Sequence, residues 1–140
     1  MTDTVDTLTL FTDFQRHDIR LTNESDGTGE SNVVKVDVSG LTGKPGYTIQ
    51  AVDVERVFGQ VGGFNYVTLR WDASTDDEII VLPPGSFDHD FRGQAGDSGS
   101  GRGLINPLSA GSTRDIMLTT DGAFNGASYT ITLQTRIRYH

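Results

Sequence analysis

The stretch that decides the fold is Phe64–Leu82, with the sequence FNYVTLRWDASTDDEIIVL. Val67, Leu69 and Trp71 alternate with more polar residues, the period of two that sends one set of side chains inward from a strand. The polar segment 72–77 then favours a turn, and a second apolar run follows it. We therefore predict a β-hairpin. Burying a Trp removes roughly 200 Å² from water, which is worth several kcal/mol at about 25 cal/mol per Å², so this single tryptophan is expected at the centre of the core.

The composition favours one domain with a core of its own. A chain of 140 residues can bury roughly two thirds of its unfolded surface. The lack of cysteine excludes disulfides and thiolate metal sites. A formal net charge of −8 argues against a nucleic-acid partner, since phosphates attract basic surfaces. The start has no basic secretory leader and no apolar run reaches membrane-spanning length, so we expect a soluble chain without a membrane partner.

Arginine dominates the basic residues, because nine of the 11 are Arg. Arg is enriched at protein interfaces, where its planar fork binds carboxylates and stacks on rings, whereas Lys is depleted there. The bias favours a protein that binds other proteins. A compositional bias of the genome is an equally good interpretation.

Alternating patterns outside the hairpin predict further strands. They occur in Val34–Val38, Phe87–Phe91 and Ser128–Tyr139, and the last is the cleanest. A further short strand is predicted at Asp115–Thr119. Between Tyr47 and Phe58 the apolar set changes face by one residue, as it does at a β-bulge. About eight short strands, separated by Gly, Asp, Asn and Pro turns and without a helix, predict an all-β fold. The expected architecture is a single-domain antiparallel β-sandwich, jelly-roll-like.

Three segments depart from these patterns. Residues 1–7 are polar and acidic, and we expect a flexible arm there, with the domain spanning 8–140. The apolar residues of Leu8–Leu21 fit neither period, so we predict a strand, with a short helical turn as the alternative. Gly93–Ser112 is a long Gly- and Ser-rich loop. Loops of about twenty residues are uncommon in compact domains and are usually functional or disordered.

No segment of the chain predicts catalysis. Residues 96–99 read GDSG, as in the nucleophile segment of trypsin-like proteases. The chain is too short for the two barrels of that family, however, and no histidine lies in the expected surroundings. A flexible loop is the better interpretation, and we expect neither enzyme activity nor a cofactor.

Acidic turn residues are the strongest metal candidate in the sequence. Asp72, Asp76 and Asp77 could supply oxygen ligands to a hard cation such as calcium, with Asp88 and Asp90 as possible partners. Their spacing does not match the twelve-residue calcium loop. We therefore predict no metal site and interpret these residues as solvated turn carboxylates.

Aromatic residues near loops are candidates for a sugar-binding platform. They are Tyr47, Phe58, Phe64 and Tyr66. Sugar sites usually combine an aromatic ring with convergent polar groups, and the sequence does not identify such groups here. We therefore favour the interpretation that these rings fill the core or an interface.

Five segments carry a resemblance to a known family. They are VVKVDVSGLTG, VTLRWDASTDDEIIVLP, DFRG, STRDIMLTTDGA and GASYTITLQTRIR. In this order they resemble the head decoration, or cement, proteins that tailed bacteriophages encode beside their capsid genes. The resemblance spans roughly Val33 to Arg138 and leaves the N-terminal arm unmatched. The segment between Arg92 and Arg114 is longer than is typical of the family.

The resemblance implies a mechanical function. Decoration proteins bind the outer surface of the mature head at capsomer junctions and stabilise it against the pressure of packaged DNA. The implied partners are the major capsid protein and, at three-fold sites, further copies of the chain in a homotrimer, on the exterior of the capsid. The alternative is a carbohydrate- or receptor-binding module of a phage tail or fibre. We expect the capsid or oligomer contacts in the N-terminal segment Thr2–Phe11 and in or next to the loop Gly93–Ser112, at Leu8, Leu10, Phe11, Arg92, Arg102, Leu104, Ile105 and Arg114.

Overall fold

The computed structural model describes residues 4–91 and 104–139. Their regular structure is nearly all β, with one short 3₁₀ helix at Val38–Gly40. The strands are β1 (Thr4–Thr12), β2 (Arg16–Asp26), β3 (Val33–Val36), β4 (Ile49–Gly62), β5 (Tyr66–Trp71), β6 (Asp77–Leu82), β7 (Gly85–Asp90), β8 (Ile116–Asp121) and β9 (Asn125–Tyr139).

The strands form two antiparallel sheets. One has the order β1-β2-β9-β4-β7 and the other the order β3-β8-β5-β6. A cluster of buried apolar side chains from both sheets forms the core. The predicted all-β antiparallel sandwich is confirmed, whereas its jelly-roll form stays a prediction.

The central hairpin forms as the sequence predicts. Strands β5 and β6 pair through Val67 with Leu82 and through Trp71 with Asp77. The Trp71 side chain is buried, and its Nε1 donates a hydrogen bond to the carbonyl oxygen of Val52 at 3.3 Å. Since β4 belongs to the other sheet, this bond joins the two layers at the centre of the core.

The long strands β4 and β9 are the middle of the larger sheet. Along β9 the apolar residues predicted to face inward are buried or half-buried, and the polar set between them is more exposed. The register of β4 against β9 shifts between Ile49 and Ala51, directly before the change of face predicted between Ala51 and Val52, and again between Val54 and Arg56. The alternation in β9 and the first bulge in β4 are thus confirmed.

The segment Val34–Val38 differs from its predicted strand. Strand β3 ends at Val36, and the 3₁₀ helix starts at Val38, with the Asp37 carboxylate accepting a hydrogen bond from the backbone N–H of Ser39 at 3.0 Å. The register of β3 against β8 also shifts between Val34 and Val36. One regular alternation therefore does not run through these five residues.

Lys35 lies in a buried polar cluster instead of on a solvated face. Its Nζ is 2.5 Å from Oε2 of Glu30, and both side chains are almost fully buried. Oε1 of Glu30 accepts hydrogen bonds from Asn23 Nδ2, at 2.7 Å, and from the Tyr129 hydroxyl. Burial of these charges is tolerated because each is paired and hydrogen-bonded.

The N-terminal segment differs from the expected arm. Strand β1 begins at Thr4, so residues 4–7 belong to a strand that continues without interruption to Thr12. The helical alternative for Leu8–Leu21 is wrong as well, since this segment forms the β1–β2 hairpin. Oδ1 of Asp13 accepts hydrogen bonds from the backbone N–H groups of Gln15 and Arg16, at 2.7 and 2.8 Å. These bonds favour a tight turn over a helix at this point.

Candidate functional site

The most unusual surface of the molecule is β1, because all nine of its residues are exposed. Directly opposed residues of an antiparallel pair share a face. Leu8 is opposite the exposed Arg20, whereas Thr9 is opposite the buried Ile19. Strand β1 therefore has an outer and an inner face like its neighbour β2, yet the second sheet covers neither.

Large apolar side chains lie on this uncovered strand. Val5, Leu8, Leu10 and Phe11 are each between 44% and 49% exposed. Leu10 falls at a register shift between Thr9 and Phe11. The three predicted contact residues of the N-terminal segment, Leu8, Leu10 and Phe11, are thus together on one exposed edge strand.

The other predicted contact residues do not join that surface. Leu104 forms an isolated antiparallel bridge with Val54 of β4, and both Leu104 and Ile105 are half-buried. In the larger sheet, β2 and β9 lie between β1 and β4, so residues beside β4 are far from β1. Arg114 is exposed, with a φ of 71°. Arg92 and Arg102 lie outside the described residues.

Half of the long Gly- and Ser-rich loop is well anchored. The N–H of Phe91 donates to the carbonyl of Glu55 at 2.8 Å, and Leu104 and Val54 exchange two backbone hydrogen bonds of 2.8 and 2.9 Å. Asn106 is buried, and its N–H donates to Oδ1 of Asp53 at 3.0 Å. Phe91 and Leu104 are thus hydrogen-bonded to two consecutive residues of β4, Glu55 and Val54. The segment 104–106 packs against the fold, where a free loop was predicted.

Two of the three acidic turn residues, Asp72 and Asp76, have structural partners. Oδ2 of Asp72 accepts from the Thr113 hydroxyl at 2.6 Å, and Oδ1 of Asp76 accepts from the N–H of Ala73 at 3.1 Å. Asp88, proposed as a further ligand, binds the Arg56 guanidinium through both oxygens at 2.9 and 2.6 Å, and this hydrogen bonding lowers the pKa of Asp88. Within the described segments, no three His, Cys, Asp or Glu side chains come together as a metal site would require.

The aromatic candidates for a sugar platform separate into two kinds. Phe64 is buried in the core, where its ring centroid is 6.1 Å from that of Tyr129. Phe58 is half-buried beneath the guanidinium of Arg56. Tyr47 and Tyr66 are exposed. The core interpretation is right for Phe64, while Tyr47 and Tyr66 remain accessible.

A cleft of about 670 Å³ opens beside Tyr47, under the β1–β2 turn. Phe14, Tyr47 and Tyr139 contribute rings, and the Tyr47 and Tyr139 rings meet edge to face at 6.0 Å between centroids. The remaining side chains of the wall are mainly charged. The charged residues of the wall are Asp13, Lys44, Asp53, Arg136 and Arg138.

The hydroxyl of Tyr139 braces the cleft. It donates a hydrogen bond to the carbonyl oxygen of Phe14 and accepts one from the N–H of Lys44 at 3.0 Å. The N–H of Ile137 also donates to the carbonyl of Gln15 at 2.7 Å. Three separate segments of the chain are thereby held at fixed positions around the cavity.

A buried ion pair forms the floor. Asp53 is 1% exposed, and its Oδ2 lies 3.1 Å from Nε of Arg138. Nη2 of Arg138 donates to the carbonyl of Asn106 at 2.9 Å. Sequence reasoning missed this cluster, because Arg138 belongs to a polar face and Asp53 lies in an apolar run. The carboxylate inside the run Ala51–Val54 was the available signal, since a buried charge requires a partner.

Comparisons of the chain with protein-family models, with curated proteins and with solved structures returned no match. Within residues 4–91 and 104–139, no helix has the length and apolar character needed to cross a membrane.

Proposed function

We propose that this chain is a bacteriophage head decoration protein, which binds the outer surface of the mature capsid at capsomer junctions and stabilises it against internal pressure. The sequence resemblance between Val33 and Arg138 suggests the family. One structural observation supports the proposal: a nine-residue edge strand, β1, is exposed on both faces and carries four large apolar side chains.

An edge strand of this kind is suited to binding. In the described part of the chain, β1 pairs only with β2, so its other edge presents backbone N–H and C=O groups. Edge strands that must stay free usually carry Lys or Pro. β1 has neither, and its protection is limited to one charged residue, Asp6, and the register shift at Leu10. A partner strand could pair with this edge while the apolar side chains pack against the partner's surface.

The charge of the chain is consistent with assembly on a shell. At −8, free copies repel one another. Copies that bind next to each other at a three-fold junction of the shell would form the homotrimer that the symmetry of such a site favours. The major capsid protein is thus the primary partner, and the chain's own copies are secondary partners.

The test is a charge substitution on β1 with a matched control. The double variant Leu8→Glu, Phe11→Glu changes two exposed outer-face residues. The control Val34→Glu, Val81→Glu makes the same charge change at two exposed apolar residues of the other sheet. Both variants should fold normally, since exposed substitutions change stability by about 0.5 kcal/mol or less, and thermal unfolding checks this.

The measurement is quantitative mass spectrometry of purified virions of the phage that encodes the chain, assembled with the native chain or with one of the variants, with the copies per particle counted. We expect the native chain and the control to bind at copy numbers of the same order as the shell protein, and the β1 variant to stay unbound. Equal binding of the β1 variant would exclude β1 as the contact. A few copies per particle would instead support the carbohydrate- or receptor-binding module of a tail or fibre, and no binding at all would exclude both functions.

A further inference from the structure

The cleft under the β1–β2 turn combines aromatic and charged groups, as ligand sites do, and the capsid function does not explain it. Its size, about 670 Å³, is in the range of small-molecule sites. Tyr47 is its most exposed ring, at 57%. An exposed ring beside convergent polar groups is the combination that the sequence alone did not reveal.

The charges in the cleft have the opposite balance to the rest of the chain. Lys44, Arg136 and Arg138 face Asp13 and Asp53, three cations against two carboxylates, in a protein of net charge −8. Arg138 and Asp53 neutralise each other in the floor. The groups left for a ligand are therefore two cations and one carboxylate.

These remaining groups are available. The guanidinium of Arg136 has no ion pair or hydrogen bond to a described residue, and the residue is exposed. The ammonium of Lys44 lies 4.9 Å from the centroid of the Tyr47 ring and has no carboxylate partner within residues 4–91 and 104–139. Asp13 uses Oδ1 for the two turn N–H groups, and these bonds lower the pKa of Asp13, so its carboxylate stays ionised at neutral pH. Donors and an acceptor for a polar ligand thus lie around one ring.

We propose that this cleft binds an acidic saccharide, a sugar that carries a carboxylate. The face of a sugar ring suits the exposed Tyr47, its carboxylate suits the planar fork of Arg136, and its hydroxyls can donate to Asp13. An acidic peptide could also donate its N–H groups to Asp13, but its backbone lacks the flat ring face that suits Tyr47. A neutral sugar would have no use for the excess positive charge.

The braced walls favour binding without rearrangement. The Tyr139 hydroxyl joins the segments that carry Phe14 and Lys44, and the buried Asp53–Arg138 pair fixes the floor. Preorganised sites avoid the free-energy cost of ordering on binding. The walls of the cleft therefore need not order further when a ligand binds.

The test measures binding of defined sugars to the full chain by isothermal titration calorimetry and saturation-transfer NMR. The acidic probes are short oligomers of glucuronate and galacturonate, and sialyl-lactose. The neutral probes are lactose and oligomers of N-acetylglucosamine. Tyr47→Ala and Arg136→Gln are the cleft variants, and Tyr66→Ala and Arg70→Gln, both in the other sheet, are their matched controls.

We expect at least one acidic probe to bind about tenfold or more tightly than the neutral ones. Each cleft variant should weaken that binding by about tenfold, while each control stays within about twofold of the native chain. Equal affinity for neutral probes would overturn the acidic specificity. Binding that survives both cleft variants, or no binding of any acidic probe, would overturn the site. None of these results bears on attachment to a capsid, which the β1 variants test separately.

Discussion

Strand β2 lies between two strands, β9 and β1, that differ in how they are covered. Residues Arg16–Asp26 of β2 pair with β9, and residues His17–Glu24 of β2 pair with β1. Both neighbours are thus joined to β2 by long antiparallel ladders. The inner face of β9 is almost entirely buried, whereas all nine residues of β1 are exposed. Backbone pairing is thus similar on the two sides, and only the cover by the second sheet differs.

Because of this difference, β9 stabilises the fold, whereas β1 offers a surface for binding. Burial of apolar area stabilises a fold, while paired backbone groups at an exposed edge contribute little net free energy. The apolar residues of β1 therefore contribute little to the stability of the isolated chain. Their value lies in the surface that they offer to a partner.

The largest expected effect compares two leucines on either side of β2. Leu133 of β9 is opposite Ile19, and Leu8 of β1 is opposite Arg20. Leu133→Ala removes a fully buried side chain and should lower the free energy of unfolding by about 2–5 kcal/mol. Leu8→Ala should change it by about 0.5 kcal/mol or less. Urea unfolding of both variants makes the comparison, and an equal loss for the two would mean that β1 is buried in solution.

The second prediction concerns the other neighbour of β9, strand β4. Gly59 is opposite Ile131 and has a φ of +143°, and a Cβ there would be 2.0 Å from the carbonyl oxygen of Thr130. Since a backbone atom cannot move aside cheaply, Gly59→Ala should destabilise the fold by about 1–3 kcal/mol. Gly62 of the same strand has no neighbour within 4 Å of such a Cβ and serves as the control.

We expect Gly62→Ala to leave the free energy of unfolding within about 0.5 kcal/mol of the native value. Thermal and urea unfolding of the two variants measure the difference. An equally small loss of stability for Gly59→Ala and Gly62→Ala would show that β4 and β9 can separate locally. The β4–β9 pair would then be less rigid than its burial suggests.

The same contrast explains what the sequence could predict. Strand β9 has one covered face, so selection for a core leaves a clean alternation, and its prediction is confirmed. Strand β1 has no covered face and a register shift at Leu10, so its apolar residues follow no period. The polar, acidic composition of residues 1–7 predicts an arm, and no periodic pattern in residues 4–7 opposes that interpretation. A strand without a buried face lacks the signal on which periodicity depends.

The sequence does not predict the cleft, for a different reason. Tyr139 meets the Phe14 carbonyl across 125 positions of the chain, and Arg138 meets Asp53 across 85. Each residue on its own has an ordinary local interpretation, as a strand end or a polar face. The convergence depends on the order of strands in the larger sheet, which the pattern of individual strands does not specify.

The smallest expected effect is a pH dependence at the point where the covered and uncovered sides of β2 meet. His17 is opposite Thr12 of β1 and Thr135 of β9, and its Nδ1 is 3.2 Å from the Thr12 hydroxyl. Burial lowers the pKa of His17, while the neighbouring Asp18 carboxylate partly opposes that effect. The folded state therefore favours the neutral ring.

The unfolded chain then binds more protons than the folded chain as pH falls through about 6.5, so stability should decrease in that direction. Urea unfolding at about pH 7.5 and about pH 5.5 measures the change, and His17→Gln should reduce it. Carboxylate titration affects both proteins alike, so the difference between them isolates the histidine. An identical pH dependence would mean that the ring is solvated in the folded state. The turn end of the β1–β2 hairpin, where His17 contacts Thr12, would then be open in solution.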